Sequence, residues 1–150
     1  MPQSLAKIYL HLVFSTKDRQ RILGDAVRPD LHAYLGGVFH GLGCAPIEIN
    51  SGPEHAHLLF LMSRSHSMAQ VVEDVKTSSN QWLKSHDKRF DRFAWQRGYA
   101  VFSVSQSNAD DVRTYIRNQH DHHKRITFQD EIRAFLKRHD VEFDERYVWD

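Results

Sequence analysis

The sequence predicts an α+β domain in the order β-α-β-β-α-β, with a four-stranded antiparallel sheet and further helices towards its C-terminal end. Three observations carry this. Short stretches of alternating or continuous apolar character interleave with longer stretches at helical spacing. Ser51-Gly52-Pro53 is a tight turn between two short strands, which makes them a hairpin. No repeat, low-complexity tract or linker interrupts the chain, so residues 1–150 read as one domain. This order is the ferredoxin-like split βαβ arrangement, which puts two helices on one face and leaves the other for a site or a partner.

Each element has its own signal. Residues 8–14 place Ile8, Leu10, Leu12 and Phe14 on one side and Tyr9, His11 and Val13 on the other, as in a strand. A basic turn follows over 15–21. Val27, Leu31, Tyr34, Leu35 and Val38 recur at helical spacing between 25 and 42, and Gly41 and Gly43 end the run. Residues 45–50 form a short strand, and 55–62 are apolar almost throughout, as in a buried central strand. Ser67 is an N-cap candidate before Met68, Val71, Val72, Val75, Trp82 and Leu83. After a charged connection over 84–92, the stretch AWQRGYAVFSVS (94–105) reads as the fourth strand. Asn108 precedes a helix with Asp110 and Asp111 in its first turn, running out near His123. Thr127, with Asp130 three residues on, caps a last helix holding Ile132, Phe135 and Leu136.

Composition excludes several classes. Hydrophobic residues are 41% and charged residues 26%, which argues for a globular chain and against disorder. No apolar run is long enough to span a membrane, and the start lacks the features of a signal peptide. One cysteine, Cys44, fits a reducing compartment, so the expectation is a cytoplasmic protein. Net charge is +1, so any nucleic-acid surface must come from local arrangement. The 11 histidines are the first hint of chemistry.

Two patterns carry that chemistry. On a strand, His55 and His57 point to the same face and can share one metal ion, although a bare His-x-His is more often a pair of hydrogen-bonded sheet histidines. Tyr115 and Gln119 lie four apart on one helical face. Alone, that pair reads as an ordinary half-buried tyrosine and a surface glutamine; together with the histidines, a helix laid across the open sheet face could bring the Tyr115 phenol to a metal held by His55 and His57, with the Gln119 carbonyl oxygen as third ligand. Glu54 should point away from His55. Imidazole ligands also suit zinc, so ligand type leaves the metal open.

These residues sit in a wider resemblance. The segments IYLHLVFSTKDRQRIL, PEHAHLLF, VVEDVKTSSNQWLK, FAWQRGYAVFSVS and YIRNQHDHHKRITFQDEI, in this order, resemble the single-tyrosine HUH transposases (the TnpA type) of insertion sequences that move as single-stranded DNA, and their REP-associated relatives. The resemblance implies a tyrosine nucleophile at Tyr115 that forms a 5′-phosphotyrosine link and frees a 3′-OH. It implies His55, His57 and Gln119 as ligands of magnesium or manganese, hairpin-bearing single-stranded DNA as partner, and a homodimer.

For DNA contact the candidates are Lys17, Arg19, Lys76, Arg113, Arg117, His122 and His123, as a set that would make binding salt-dependent. His120, His122 and His123 otherwise read as a polar helix end. Trp95, Tyr99 and Phe102 read as core or interface rather than base-stacking platforms. A hairpin-binding module without transposition is the main alternative, because this fold does not fix function. A two-histidine phosphoesterase would need paired His-x-Ser/Thr motifs, which His66-Ser67 and His86-Asp87 do not supply. A structural zinc site lacks ligand spacing beyond His55 and His57.

Overall fold

The computed structural model describes residues 2–150, with the side chain of His122 outside the described part. Four strands pair antiparallel in the order β2-β3-β1-β4: β1 (Tyr9–Ser15), β2 (Pro46–Ser51), β3 (His55–Leu61) and β4 (Ala100–Val104). The predicted architecture is therefore present. β1 and β3 are central, and their register sets Val13 opposite His57 and Ser15 opposite His55.

The pleat sorts the side chains between two faces. Leu12, Phe14, Ala56, Leu58 and Phe60 are buried under α1 (Arg28–Gly41) and α2 (Met68–His86). Leu31, Leu35 and Phe39 supply the apolar stripe of α1, and Val71, Val72, Val75 and Leu83 that of α2. Ser67 caps α2 as expected, its side chain accepting from the Gln70 N–H. Gly43 takes φ +71° just beyond α1, a conformation that disfavours side chains.

The opposite face carries His11, Val13, His55, His57 and Leu59. It is covered by α3 (Ala109–Arg117), the four-residue α4 (Gln119–His122) and α5 (Phe128–Arg138). Two expectations change here. The helix expected to run from 108 to near 123 breaks at Asn118, because the Asn50 amide of β2 donates to the Ile116 carbonyl at 2.8 Å and takes it out of the helical ladder. The fourth strand is only five residues long, not twelve. The carbonyls of Gln96 and Gly98 accept from the Lys76 ammonium, at 2.8 and 2.5 Å, while the Gly98 N–H goes to Asp150. Those groups are used up outside a ladder. Asn108 makes no side-chain cap, whereas Thr127 does, accepting from the Asp130 N–H.

On α1, His32 is hydrogen-bonded to the Ser51 hydroxyl at 2.6 Å, and burial, with Arg28 nearby, lowers its pKa from 6.5 to about 4. The folded value lies below the unfolded one, so between these values the unfolded chain binds more protons. The stabilisation is complete above pH 6.5 and disappears as pH falls towards 4, a loss of up to about 3 kcal/mol. Replacing His32 with Gln should flatten the acid limb of a denaturant-midpoint profile by that amount. A limb parallel to wild type would contradict this.

Candidate active site

The site grows out of the hairpin. Gly52, in the turn, lets the His55 ring lie against the backbone: a Cβ there would come within 2.9 Å of the His55 Cε1. Both histidines are fully buried, with ring centroids 5.2 Å apart. The Nδ1–H of His55 donates to Glu54 Oε1 at 2.6 Å, which leaves Nε2 turned inward, 3.3 Å from Gln119 Oε1 and 4.0 Å from Glu131 Oε1. Glu54 was expected to point away from His55; it lies just before β3, outside the pleat, and Arg21 pins its other oxygen at 2.6 Å. Burial raises the Glu54 carboxyl, but His55 and Arg21 outweigh it and hold it below its usual range.

His57 is oriented from behind by His11, with Nε2 of His11 and Nδ1 of His57 2.8 Å apart. Its own Nε2 meets Glu131 Oε1 at 2.8 Å. Burial lowers both imidazoles below their usual range; His57 lowers His11 further, His55 and His123 do the same to His57, and Glu131 works against the shift at both.

Tyr115 projects from α3 with its ring centroid 6.1 Å from that of His57, and its hydroxyl donates to Glu131 Oε2. His123 donates to the same oxygen at 3.2 Å. Burial raises the Glu131 carboxyl, but His57, His123 and Tyr115 overcome it, so the carboxylate stays ionised well below its ordinary range. Burial, followed by the Glu131 charge, pushes the Tyr115 phenol above its ordinary value. At rest the nucleophile candidate is thus a neutral phenol held by a carboxylate. His55, His57, His123 and Glu131 offer ligand atoms all within 4.8 Å of one another. Gln119 Oε1 joins them. Imidazole nitrogens with carboxylate and amide oxygens suit manganese, magnesium or zinc.

Glu131 and His11 were not singled out by the sequence, and Glu54 was set aside on the expectation that it points away from His55. Glu131 had a signal: it is an acid on the buried stripe of α5, beside Phe128, Ile132 and Phe135. His11 stands on the inward side of β1 between Tyr9 and Val13.

The expected DNA contacts separate. Arg19 lines a groove of about 450 Å³ with Arg21, His123, Lys124 and Arg125. A second groove, of about 320 Å³, shares Arg21, His123 and Lys124 with it and reaches Gln119. Lys17 borders a different cleft, beside Arg97 and Trp149. Arg113 and Arg117 are on the surface, paired with Glu48 at 3.1 and 2.9 Å. The half-buried Lys76 donates to main-chain carbonyls over the Phe14 ring, on the far side of the sheet, and burial lowers its pKa to about 8. His122 as a contact lies outside the described side chains. Trp95 is core, its indole N–H donating to Ser79 at 2.9 Å.

The sheet thus carries the buried His55 and His57, and the helix that bears Tyr115 lies across it. The model of the IS200-like transposases matches residues 4–119, and the chain belongs to that family. It is 24% identical over 116 residues to the ISDra2 transposase TnpA of Deinococcus radiodurans, covering 74% of this chain and 83% of that protein. A crystal structure of a chain assigned as a transposase from the same organism superposes with TM-score 0.62 at 24% identity, over 79% of this chain and 98% of that one. The structure of a REP-associated tyrosine transposase bound to a REP hairpin superposes with TM-score 0.60 at 13% identity, over 96% and 91%. The family match ends at Gln119, so His123 and Glu131 lie beyond it. Among the described residues no helix is long and apolar enough to cross a membrane.

Proposed function

We propose that this chain cuts and rejoins single-stranded DNA at hairpin-marked ends through a 5′-phosphotyrosine intermediate, with a divalent cation in the site. The observation that carries this is the sharing of Glu131 between the Tyr115 hydroxyl and His57, beside His55 and Gln119. It brings Tyr115 close to the donor atoms of His55, His57 and Gln119 within a single chain, which supports reading them as nucleophile and metal ligands. His55, His57 and Gln119 would hold magnesium or manganese, with Glu131 and His123 as further donors. Such a cation supplies charge that neutralises the scissile phosphate and eases ionisation of the phenol.

The chain's own residues do the rest. Glu54 and His11 orient the two imidazoles. Arg21, Lys124 and Arg125 line the approach for the phosphate backbone. Tyr115 Oη bonds to phosphorus as the bond from phosphorus to the 3′-oxygen breaks; the phenol gives its proton to water, and the 3′-oxygen takes one up from water and leaves as a hydroxyl. The link keeps the phosphodiester energy, so attack by a 3′-OH reverses the step and rejoins a strand without a nucleotide cofactor. A hairpin partner is supported by the REP hairpin in the structural neighbour. The homodimer rests on the family resemblance, and light scattering at micromolar concentration tests it.

Metal binding gives the first check. At a concentration near 100 times its Kd, manganese should stabilise the protein by about 2.7 kcal/mol. For this size that raises Tm by roughly 5–10 °C. His57→Ala should lose both this shift and metal-dependent cleavage of DNA carrying the adjoining hairpin ends. A His57→Ala protein that keeps them would remove the metal site from the proposal.

A further inference from the structure

We propose that His123 and Glu131 join His55 and His57 in a closed, four-donor centre that takes zinc in the resting protein. This deepens the proposed function, since it rests on the same reading of His55 and His57 as metal ligands. The four ligand atoms lie within 4.8 Å of one another. Glu131 links them: its Oε1 is 2.8 Å from His57 Nε2 and 4.0 Å from His55 Nε2, and its Oε2 is 3.2 Å from His123 Nε2. In a tetrahedral zinc site, with bonds of about 2.0–2.2 Å, neighbouring donors stand about 3.3–3.6 Å apart. The spacings here bracket that value, so small side-chain rotations close the set. The three imidazoles already converge, with the His55 ring centroid 4.4 Å from that of His123 and 5.2 Å from that of His57.

The donor chemistry selects the ion. Three imidazole nitrogens and a carboxylate are zinc ligands, whereas magnesium demands an octahedron of oxygens and keeps several waters. His55, His57 and Glu131 are at most 1% exposed, which leaves little room for a water shell. Nitrogen-rich donors also bind zinc ahead of manganese. The amide oxygen of Gln119, 3.3 Å from His55 Nε2, is neutral and yields to the Glu131 carboxylate. The outward nitrogens are already committed, His55 Nδ1 to Glu54 and His57 Nδ1 to His11, so each ring is fixed with Nε2 turned inward.

Closure has a consequence for DNA. Four protein donors leave no coordination position open, and a catalytic site needs one. A phosphate from the strand must therefore displace a donor. His123 is the one within its reach, because it lines both basic grooves while the other three donors are buried. Zinc thus holds the protein at rest, and His123 is the ligand that gives way.

Two measurements test this, and the first does not need cleavage. Cobalt(II) is the probe, because it adopts the geometry of zinc and is coloured. The full chain with one equivalent of cobalt should show the intense visible bands of a four-coordinate ion, removed by zinc but not by excess magnesium. His123→Ala, a change at the rim of the site, should leave circular dichroism native and give the weak bands of a higher-coordinate ion. It should also lower zinc affinity, read against a chromophoric chelator, by at least about tenfold, since even the outer partners of a ligand are worth that much. Glu131→Gln, which keeps the side-chain volume, should do the same. Weak six-coordinate bands in wild type, or a zinc affinity unchanged by His123→Ala, would overturn the centre.

The second measurement compares covalent adduct with hairpin-bearing DNA and manganese, with and without one equivalent of zinc. Zinc should suppress the adduct in wild type, and the ratio of the two yields should return towards one in His123→Ala. Equal yields with and without zinc in wild type would overturn the resting role, even if the cobalt spectrum shows four donors. If no metal gives an adduct, the proposed function fails, while the cobalt spectrum still decides the centre.

Discussion

Tyr115→Phe is expected to abolish the covalent protein–DNA band on a denaturing gel and to leave hairpin binding on a native gel nearly unchanged. The substitution removes one oxygen atom and keeps the ring. That ring meets Phe135 edge to face at 5.6 Å and packs beside Ile116 and Val112, so α3 keeps its seat on the sheet. The structural cost is one hydrogen bond to a charged acceptor, about 1.5–3 kcal/mol. Glu131 retains His57 and His123 as donors, which limits the loss. The chemical cost is total for this route, because no other oxygen stands at that place. Cleavage should fall by more than about 10³-fold, with any remainder owed to water. An adduct that persists in Tyr115→Phe would place the nucleophile elsewhere. A mutant that neither cleaves nor binds, with a native circular dichroism spectrum, would make the phenol part of DNA binding instead.

The sequence and the structure agree where the determinants are local. The alternation of β1, the hairpin turn and the serine and threonine caps of α2 and α5 all depend on neighbours within a few residues. His55 and His57 share a face because a strand has a period of two. Tyr115 and Gln119 meet the same site although the helix between them breaks, since Gln119 restarts a turn and its side-chain Nε2 donates back to the Tyr115 carbonyl at 3.4 Å. What escaped sequence reading depends on distant partners. The break at Asn118 needs Asn50, 68 positions earlier by subtraction, to offer its amide. The shortened β4 needs Lys76 and Asp150 to claim its flanking carbonyls and N–H. Glu131 is in sight of His57 only once α5 folds back over the sheet, 74 residues away in sequence.

Glu131 is also where the second large effect is expected. Glu131→Ala should destabilise the protein by about 3–5 kcal/mol at pH 7, because it strips a buried site of its only carboxylate facing His57, His123 and Tyr115 among the described residues. Three donors would then face a void too apolar, beside Phe128 and Phe135, to hydrate them well. Glu131→Gln keeps the volume and one acceptor oxygen but turns an amide N–H₂ towards a donor, so its cost should be smaller, about 1–3 kcal/mol.

The pH dependence separates charge from packing. A carboxyl whose folded pKa is depressed stabilises above the unfolded value of 4.5 and loses that stabilisation as pH falls through the folded value. Wild type should therefore weaken further below pH 4.5, on top of the histidine loss that begins at 6.5. Both Glu131 variants should lack the lower step. If Glu131 is also a metal donor, as its place among the imidazoles supports, each variant should need more manganese for the same rise in Tm. Urea midpoints of wild type, Glu131→Gln and Glu131→Ala between pH 3 and 8 read all of this in one set of curves. Equal midpoints at neutral pH would mean that the carboxylate is a bystander, and that α5 is held over the sheet by Ile132, Phe135 and Leu136 alone.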